Sequence, residues 1–322
     1  MARALGSFAI AVSNSCASTS FGTTLCRQAT ISNVPNRDGT IGNVATLTCL
    51  LKVTDPVGSP VGTYVTMSGA GGTGYAELLS NYLTNVLQPA VARGWRVIQP
   101  VWESNGGHGY NAGTEGHLAL LGRCATMLRG VYDNLRINGM PFVVMGQSGG
   151  AEQLCGALGH YGAGAYIDKA IPCSGPPMTD FGFGLWGPNH PKWAVIGAQF
   201  VRPQNNGIVS AYDGGDVIHM DQATGGTACQ SKTVLGSPNY RQDSLLNTSI
   251  DLSWRQTDVH FIFGDADTGP RENGHYFSTF VKARTPVVRT ITTGNVQHVD
   301  VPGSPSGAAA ILAALDSATL NH

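Results

Sequence analysis

The chain has 322 residues, of which 12% are charged, and a formal net charge of -1. It carries no basic run that could neutralise a nucleic-acid backbone, and no apolar stretch approaches the roughly 18–20 residues that a membrane span needs. The length suits one large α/β domain or two smaller ones.

The opening MARALGSFAIAV has one arginine and a weak apolar run broken by Gly6 and Ser7. A mature start, or no leader at all, is therefore expected rather than an intact signal peptide. Residues 40–53 (TIGNVATLTCLLKV) and 63–67 (TYVTM) predict strands. Gly69 to Gly74 form a glycine loop, after which Leu79, Tyr82, Leu83, Val86, Leu87 and Ala90 mark one face of a helix. Residues 96–101 (RVIQPV) predict the next strand, and Leu118, Leu121, Ala125, Leu128, Tyr132 and Leu135 a long amphipathic helix.

Phe142 to Met145 is a short apolar run with β-branched members, as expected of a strand buried on both faces. Ala151, Leu154, Cys155 and Leu158 then recur at helical spacing. Further strands are predicted over 166–173, 259–263 and 287–292, and a terminal helix from about Ser306. Ser304 and Pro305 suit the cap and first turn of that helix. Strands alternating with helices imply a mainly parallel sheet covered on both faces.

The rhythm fails between Gly175 and Thr257, which is rich in Gly, Pro, Asn and aromatic residues. That stretch, about residues 176–257, reads as a cap inserted into one domain spanning 1–322. Its Phe181, Phe183, Trp186, Trp193 and Phe200 either form a core of its own or wall a pocket for an apolar or aromatic group.

Seven cysteines leave at least one unpaired in a monomer. Cys49, Cys124, Cys155 and Cys173 fall in strand or helix patterns and read as buried small hydrophobes. Cys16 and Cys26 flank a polar loop and can be bridged in an oxidising compartment. The 43 glycines and only five lysines fit a secreted enzyme. The sequence does not fix an oligomeric state.

The chemistry concentrates at Gly146-Gln147-Ser148-Gly149-Gly150, where a strand turns sharply into a helix with one hydroxyl at the apex. A hydroxyl attacks a carbonyl only if it protrudes and an adjacent base takes its proton. Small residues two positions either side relieve the crowding of such a turn. The Gly149 N–H then points to where an oxyanion develops.

This stretch resembles the nucleophile elbow of the α/β-hydrolase family. The resemblance covers roughly residues 40–175 and 258–320, and implies an acid and then a histidine later in the chain. VHFIFGDADTG resembles the family's penultimate strand, which maps the acid to Asp267, three residues past Gly264, with Asp265 as the alternative. His298, in the loop before the last helix, takes the place of the base. The loop Ser68-Gly69-Ala70-Gly71-Gly72 takes the place of the second oxyanion donor, at the Ala70 N–H, although Ser68-Gly69 replaces the usual His-Gly. The cap falls between the sixth and seventh strands of the family pattern. The implied function is hydrolysis of a small-molecule or polymeric carboxylic ester through an acyl-serine, with no cofactor. A peptidase or acyltransferase shares the same machinery.

Among the other histidines, His260 lies in a strand as a satisfied core imidazole, and His275 follows the acid too closely to reach the elbow. His108 and His117, in or just after a glycine loop, read as solvated loop residues or as pocket lining. Gly69 to Gly74 also satisfies GxGxxG after a strand and before a predicted helix. A NAD(P)-binding oxidoreductase, with Glu103 on a ribose, is thus the rival reading, although Glu103 lies farther on than usual. No HExxH or paired CxxC occurs, and Asp213, Asp216 and Asp221 lack the pattern of a calcium loop, so no metal is expected.

Overall fold

A computed structural model describes residues 2–13, 16, 24–41, 44–104, 109–177, 179, 242–246, 250–267 and 270–322. The cap aromatics, the three loop aspartates at 213, 216 and 221, His108 and Cys229 lie outside the described residues.

In chain order the strands are β1 (Ser7–Val12), β2 (Thr24–Ser32), β3 (Leu47–Thr54), β4 (Gly62–Met67), β5 (Trp95–Trp102), β6 (Phe142–Gln147), β7 (Lys169–Cys173), β8 (Ser253–Trp254), β9 (Asp258–Gly264), β10 (Lys282–Ala283) and β11 (Val288–Thr292). The helices are α1 (Gln88–Ala92), α2 (His117–Leu135), α3 (Gly149–Tyr161), α4 (Pro270–Ser278) and α5 (Pro305–Asp316). Among the described residues the main sheet has the order β1-β2-β3-β5-β4-β6-β7-β9-β11, and β8 pairs with β10 separately. From β5 to β11 all neighbours are parallel, whereas β1, β2 and β3 join antiparallel.

The short apolar runs form strands because both faces are covered and successive side chains enter opposite cores. In β6, Phe142 and Val144 face the layer of α2 and α3, while Val143 and Met145 face that of α1 and α5. In β9, Phe261 and Phe263 enter the first core and Ile262 the second. Full burial of each such side chain favours the fold by roughly 1.5–3 kcal/mol. Cys49, Cys124, Cys155 and Cys173 are buried free thiols, and Cys16 is bridged to Cys26.

Two regions depart from the sequence reading. The helix expected through Leu79–Ala90 is broken into a three-residue 3₁₀ turn at Ala76–Leu78, a π-helical turn at Leu83–Leu87 and the short α1. Pro89 sits in the first turn of α1. The backbone is already extended at Leu79 (ψ 143°) and left-handed at Asn81 (φ 53°), and Pro89, with no N–H for the carbonyl four residues back, interrupts the ladder again. The face survives even so, because Tyr82, Val86, Leu87 and Ala90 are all buried.

The second departure is at the start of the chain, where two strands absent from the sequence reading form, β1 within MARALGSFAIAV and β2 over Thr24–Ser32. β1 pairs with β2 from Ser7↔Ser32 to Val12↔Arg27, and its Phe8 and Ile10 pack on the core. The alternation of Phe8, Ile10 and Val12 is the signal that would have identified it. Val12 itself is 74% exposed, so the outer end of the strand contributes little to the core.

Candidate active site

The site lies at the carboxyl ends of the parallel strands, where open α/β sheets bind ligands. Register brings the ends level: Met67 lies opposite Gly146, Gln147 opposite Cys173, Cys173 opposite Ile262, and Gly264 opposite Thr292. The loops after β4, β6, β9 and β11 therefore converge on one place.

Ser148 caps α3 with φ 53° and ψ −116°, a conformation costly to any residue with a side chain, by about 1–3 kcal/mol. Close packing enforces it. A Cβ on Gly146 would collide with the Gly150 carbonyl, and one on Gly150 would lie 2.6 Å from the Met67 carbonyl oxygen. One on Gly149 would overlap the Ala70 carbonyl. The Ser148 N–H donates to the Cys173 carbonyl at 2.9 Å, continuing the β6–β7 ladder into the turn.

Above the hydroxyl, His298 Nε2 lies 2.8 Å from Ser148 Oγ, and His298 Nδ1 lies 2.9 Å from Asp267 Oδ1. Asp267 is 1% exposed, and its second oxygen, Oδ2, is buried without a hydrogen-bond partner among the described residues. The carboxylate thus directs one oxygen at the imidazole, which favours the tautomer that leaves Nε2 free to accept a proton from the serine.

Asp265 has a different task. Its carboxylate accepts the N–H groups of Val296 at 2.7 Å and of Gly294 and Asn295 at 3.1 Å each. These bonds, the Val296 one foremost, hold its pKa below the ordinary 3.8. Asp265 thus folds the loop that carries His298, while Asp267 meets the ring. Arg271, from the first turn of α4, donates to the Asp265 carbonyl at 2.6 Å.

Ala70 has φ 49°, and its backbone nitrogen lies 2.9 Å from where a Cβ on Gly149 would be. The Ala70 and Gly149 N–H groups are therefore close neighbours, and neither has an acceptor among the described residues.

The glycine loop does not open a dinucleotide site of the expected kind. The next element is the 3₁₀ turn Ala76–Leu78 rather than an α-helix, so no helix N-terminus faces a pyrophosphate. The Glu103 carboxylate accepts from the Thr48 hydroxyl, and its N–H donates to the Thr48 carbonyl.

Among the described residues, His298 is the histidine that meets the serine hydroxyl. His260 Nε2 lies 2.7 Å from Thr290 Oγ1, and burial lowers its pKa. Burial also lowers His275, on α4, to about 4. His117 corrects the expectation of a solvated loop residue or pocket lining. It begins α2, is fully buried, and places Nε2 3.3 Å from Glu152 Oε1. Its position after a loop with five glycines conceals that the helix starts there and turns inward. Sequence reasoning also passed over Gln147 and Ser174, which both donate to the His298 carbonyl.

No known family model matches the chain, and no curated protein matches its sequence. By structure it is similar to brefeldin A esterase, a bacterial homologue of human hormone-sensitive lipase, at 14% identity over 94% of this chain and 77% of that one, with a TM-score of 0.51. It is also similar to Est1E from Butyrivibrio proteoclasticus with ferulic acid bound (14% identity, 84% and 95% coverage, TM-score 0.47). Carboxylesterase CesB from Bacillus subtilis is a further neighbour (12% identity, 85% and 89% coverage, TM-score 0.43). Likeness at such identities concerns the fold, and with the strand order and crossovers described above, this chain has the α/β-hydrolase fold.

Proposed function

We propose that the protein is a serine hydrolase of carboxylic esters. The observation that carries this reading is the unbroken relay from Ser148 Oγ through His298 to Asp267, at 2.8 and 2.9 Å. His298 Nε2 takes the hydroxyl proton as Oγ attacks the ester carbonyl, and Asp267 holds the ring and stabilises the imidazolium. The N–H groups of Ala70 and Gly149 receive the oxyanion. Collapse of the tetrahedral intermediate breaks the bond to the alkoxy oxygen, which leaves with the proton from His298. Water, deprotonated by the same nitrogen, then attacks the acyl-serine; the acid is released and Oγ regains its proton. Each step uses only groups of this chain and water.

We read the chain as one domain bearing a cap over about residues 176–257. This reading is supported by the Leu246 N–H, which donates to the Thr179 carbonyl at 2.7 Å and so joins two points well separated along that stretch. The aromatic content of the cap favours apolar or aromatic acyl groups. The Cys16–Cys26 bridge fits an oxidising, extracellular setting. Among the described residues no helix is long and apolar enough to cross a membrane.

A fluorophosphonate probe tests the assignment. Labelling at Ser148, lost in Ser148→Ala, is the expected result. Ester turnover that survives Ser148→Ala would end the proposal. Matched ester and amide panels graded by acyl size separate an esterase from a peptidase on the same machinery, and a competing alcohol acceptor tests acyl transfer.

A further inference from the structure

His298 lies between β11 and α5, on a loop that must hold an imidazole at bonding distance from a hydroxyl 150 residues earlier in the chain. The backbone of that histidine is gripped directly. Gln147 Nε2 donates to the His298 carbonyl at 3.3 Å, and Ser174 Oγ donates to the same oxygen at 3.1 Å. The two donors follow from the register of the sheet: Gln147 ends β6, Ser174 follows β7, and Gln147 lies opposite Cys173.

Gln147 is 2% exposed and Ser174 fully buried, so both are fixed interior groups rather than solvated side chains. Ser174 also holds φ 51°, a strained conformation for a non-glycine residue. On the other side of the same amide, Oε1 occupies the space that a Cβ on Gly69 would need, and that Cβ would also lie 3.1 Å from Ser148 Cβ. One amide therefore touches the loop of Ala70 at its oxygen and the loop of His298 at its nitrogen. Its own backbone leads straight into Ser148.

We propose that Gln147, assisted by Ser174, is a positioning residue that locks the base loop and the oxyanion loop to the elbow as a single unit. This inference rests on the reading of Ser148 and His298 as nucleophile and base. The imidazole must hold near-attack distance in one step and serve the leaving group and water in the next. A displacement of about 1 Å in such a group costs on the order of a hundredfold in rate. A carbonyl held by two buried donors restrains the ring through its backbone and leaves the side-chain torsions free for proton transfer. Because the grip acts on the backbone of the base loop, its loss is expected in kcat rather than in KM.

The test compares Gln147→Met, which keeps length and volume but removes the donor, with Ser174→Ala and with the double variant. Each single change is expected to lower kcat by about tenfold with KM unchanged, on the scale of one buried hydrogen bond. The rate of fluorophosphonate labelling at Ser148 should fall in parallel. The double variant should lose more than the product of the singles, because either donor alone still holds the carbonyl. Gln147→Asn, one methylene shorter, should fall between wild type and Gln147→Met. Unchanged kcat and labelling in folded variants would overturn the inference while leaving the ester-hydrolase reading intact, and so would losses confined to KM. Wild-type protein that resists the probe would remove both. Should Gln147→Met fail to fold, Ser174→Ala carries the same expectation alone.

Discussion

The loop that carries Ala70 (residues 68–74) and the loop that carries His298 (residues 293–304) meet over one serine, yet they are positioned by opposite means. The first is placed largely by side chains that are absent. The bare Cα of Gly149 allows the Ala70 backbone to approach the elbow, and the bare Cα of Gly69 leaves room for the Gln147 amide. Hydrogen bonds then fasten it, from the Ser68 hydroxyl to the Gly74 carbonyl and from the Trp102 and Tyr110 N–H groups to the Gly72 and Gly71 carbonyls, and downstream Glu77 accepts from buried Lys52 Nζ at 2.8 and 2.9 Å and from Gln99 Nε2 at 3.0 Å. The second loop is held by groups that are present: the Asp265 carboxylate on three N–H groups, Gln147 and Ser174 on the His298 carbonyl, and Asn85 Nδ2 on the Gly303 carbonyl at 2.8 Å. A loop placed by close packing should fail abruptly when atoms are added. One placed by hydrogen bonds should fail by degrees as partners are removed.

The largest expected effect tests the division of labour between the two acids of the base side. Asp267→Asn should lower kcat on the order of 10⁴-fold, because the imidazole loses the partner that sets its tautomer. Asp265→Asn should cost about tenfold, because one oxygen can still accept a loop N–H. A steady-state comparison in which Asp265→Asn proved the worse variant would reverse the two roles. Next comes Gly149→Ala. The added methyl collides with the Ala70 carbonyl, so the loop that carries Ala70 must move. A loss of about 10²–10³-fold in kcat is expected, comparable to removing an oxyanion donor. Kinetics within threefold of wild type would show that this loop tolerates what close packing forbids.

A smaller catalytic effect, but a large stability effect, is expected at the downstream anchor. Lys52→Met strands the Glu77 carboxylate in the interior, where both partners are almost fully buried. Removing one partner of such a pair costs about 3–5 kcal/mol, to be read as a lowered midpoint in denaturant. The smallest effect concerns pH. Asp265 has a lowered folded pKa, so its contribution to loop order is fully present above the ordinary 3.8 and is lost as pH falls through the lowered value. Hydrogen exchange at the Gly294 and Val296 amides should accelerate in that acidic window. The same acceleration in Asp265→Asn would point to another titrating group.

What was legible in the sequence was mostly local. The run Phe142–Met145 and the glycines around Ser148 specify a buried strand and a strained turn within a few residues, because the steric demands act between near neighbours. The long helix α2 was equally plain from its apolar spacing. The broken segment before β5 was less so, since Leu79 to Ala90 keep helical periodicity in burial while Pro89 disrupts the backbone that periodicity suggests. The antiparallel strand β1 escaped because one of its faces meets solvent. His117 escaped because the start of its helix lies behind a glycine loop.

The resemblance implies the order of serine, acid and histidine, and Ser148, Asp267 and His298 each lie beyond a strand whose pattern is encoded by consecutive residues. Two aspartates two positions apart after β9 are another matter. Which one meets the ring and which one folds the loop depends on where residues 294–298 return, some thirty positions later. The same holds for the carbonyl shared by Gln147 and Ser174, since its donors and acceptor lie on three different segments. Sequence determines the turns because torsional sterics are short-ranged. Only the packed sheet, by setting the level at which its strands end, decides which of the groups beyond those ends touch.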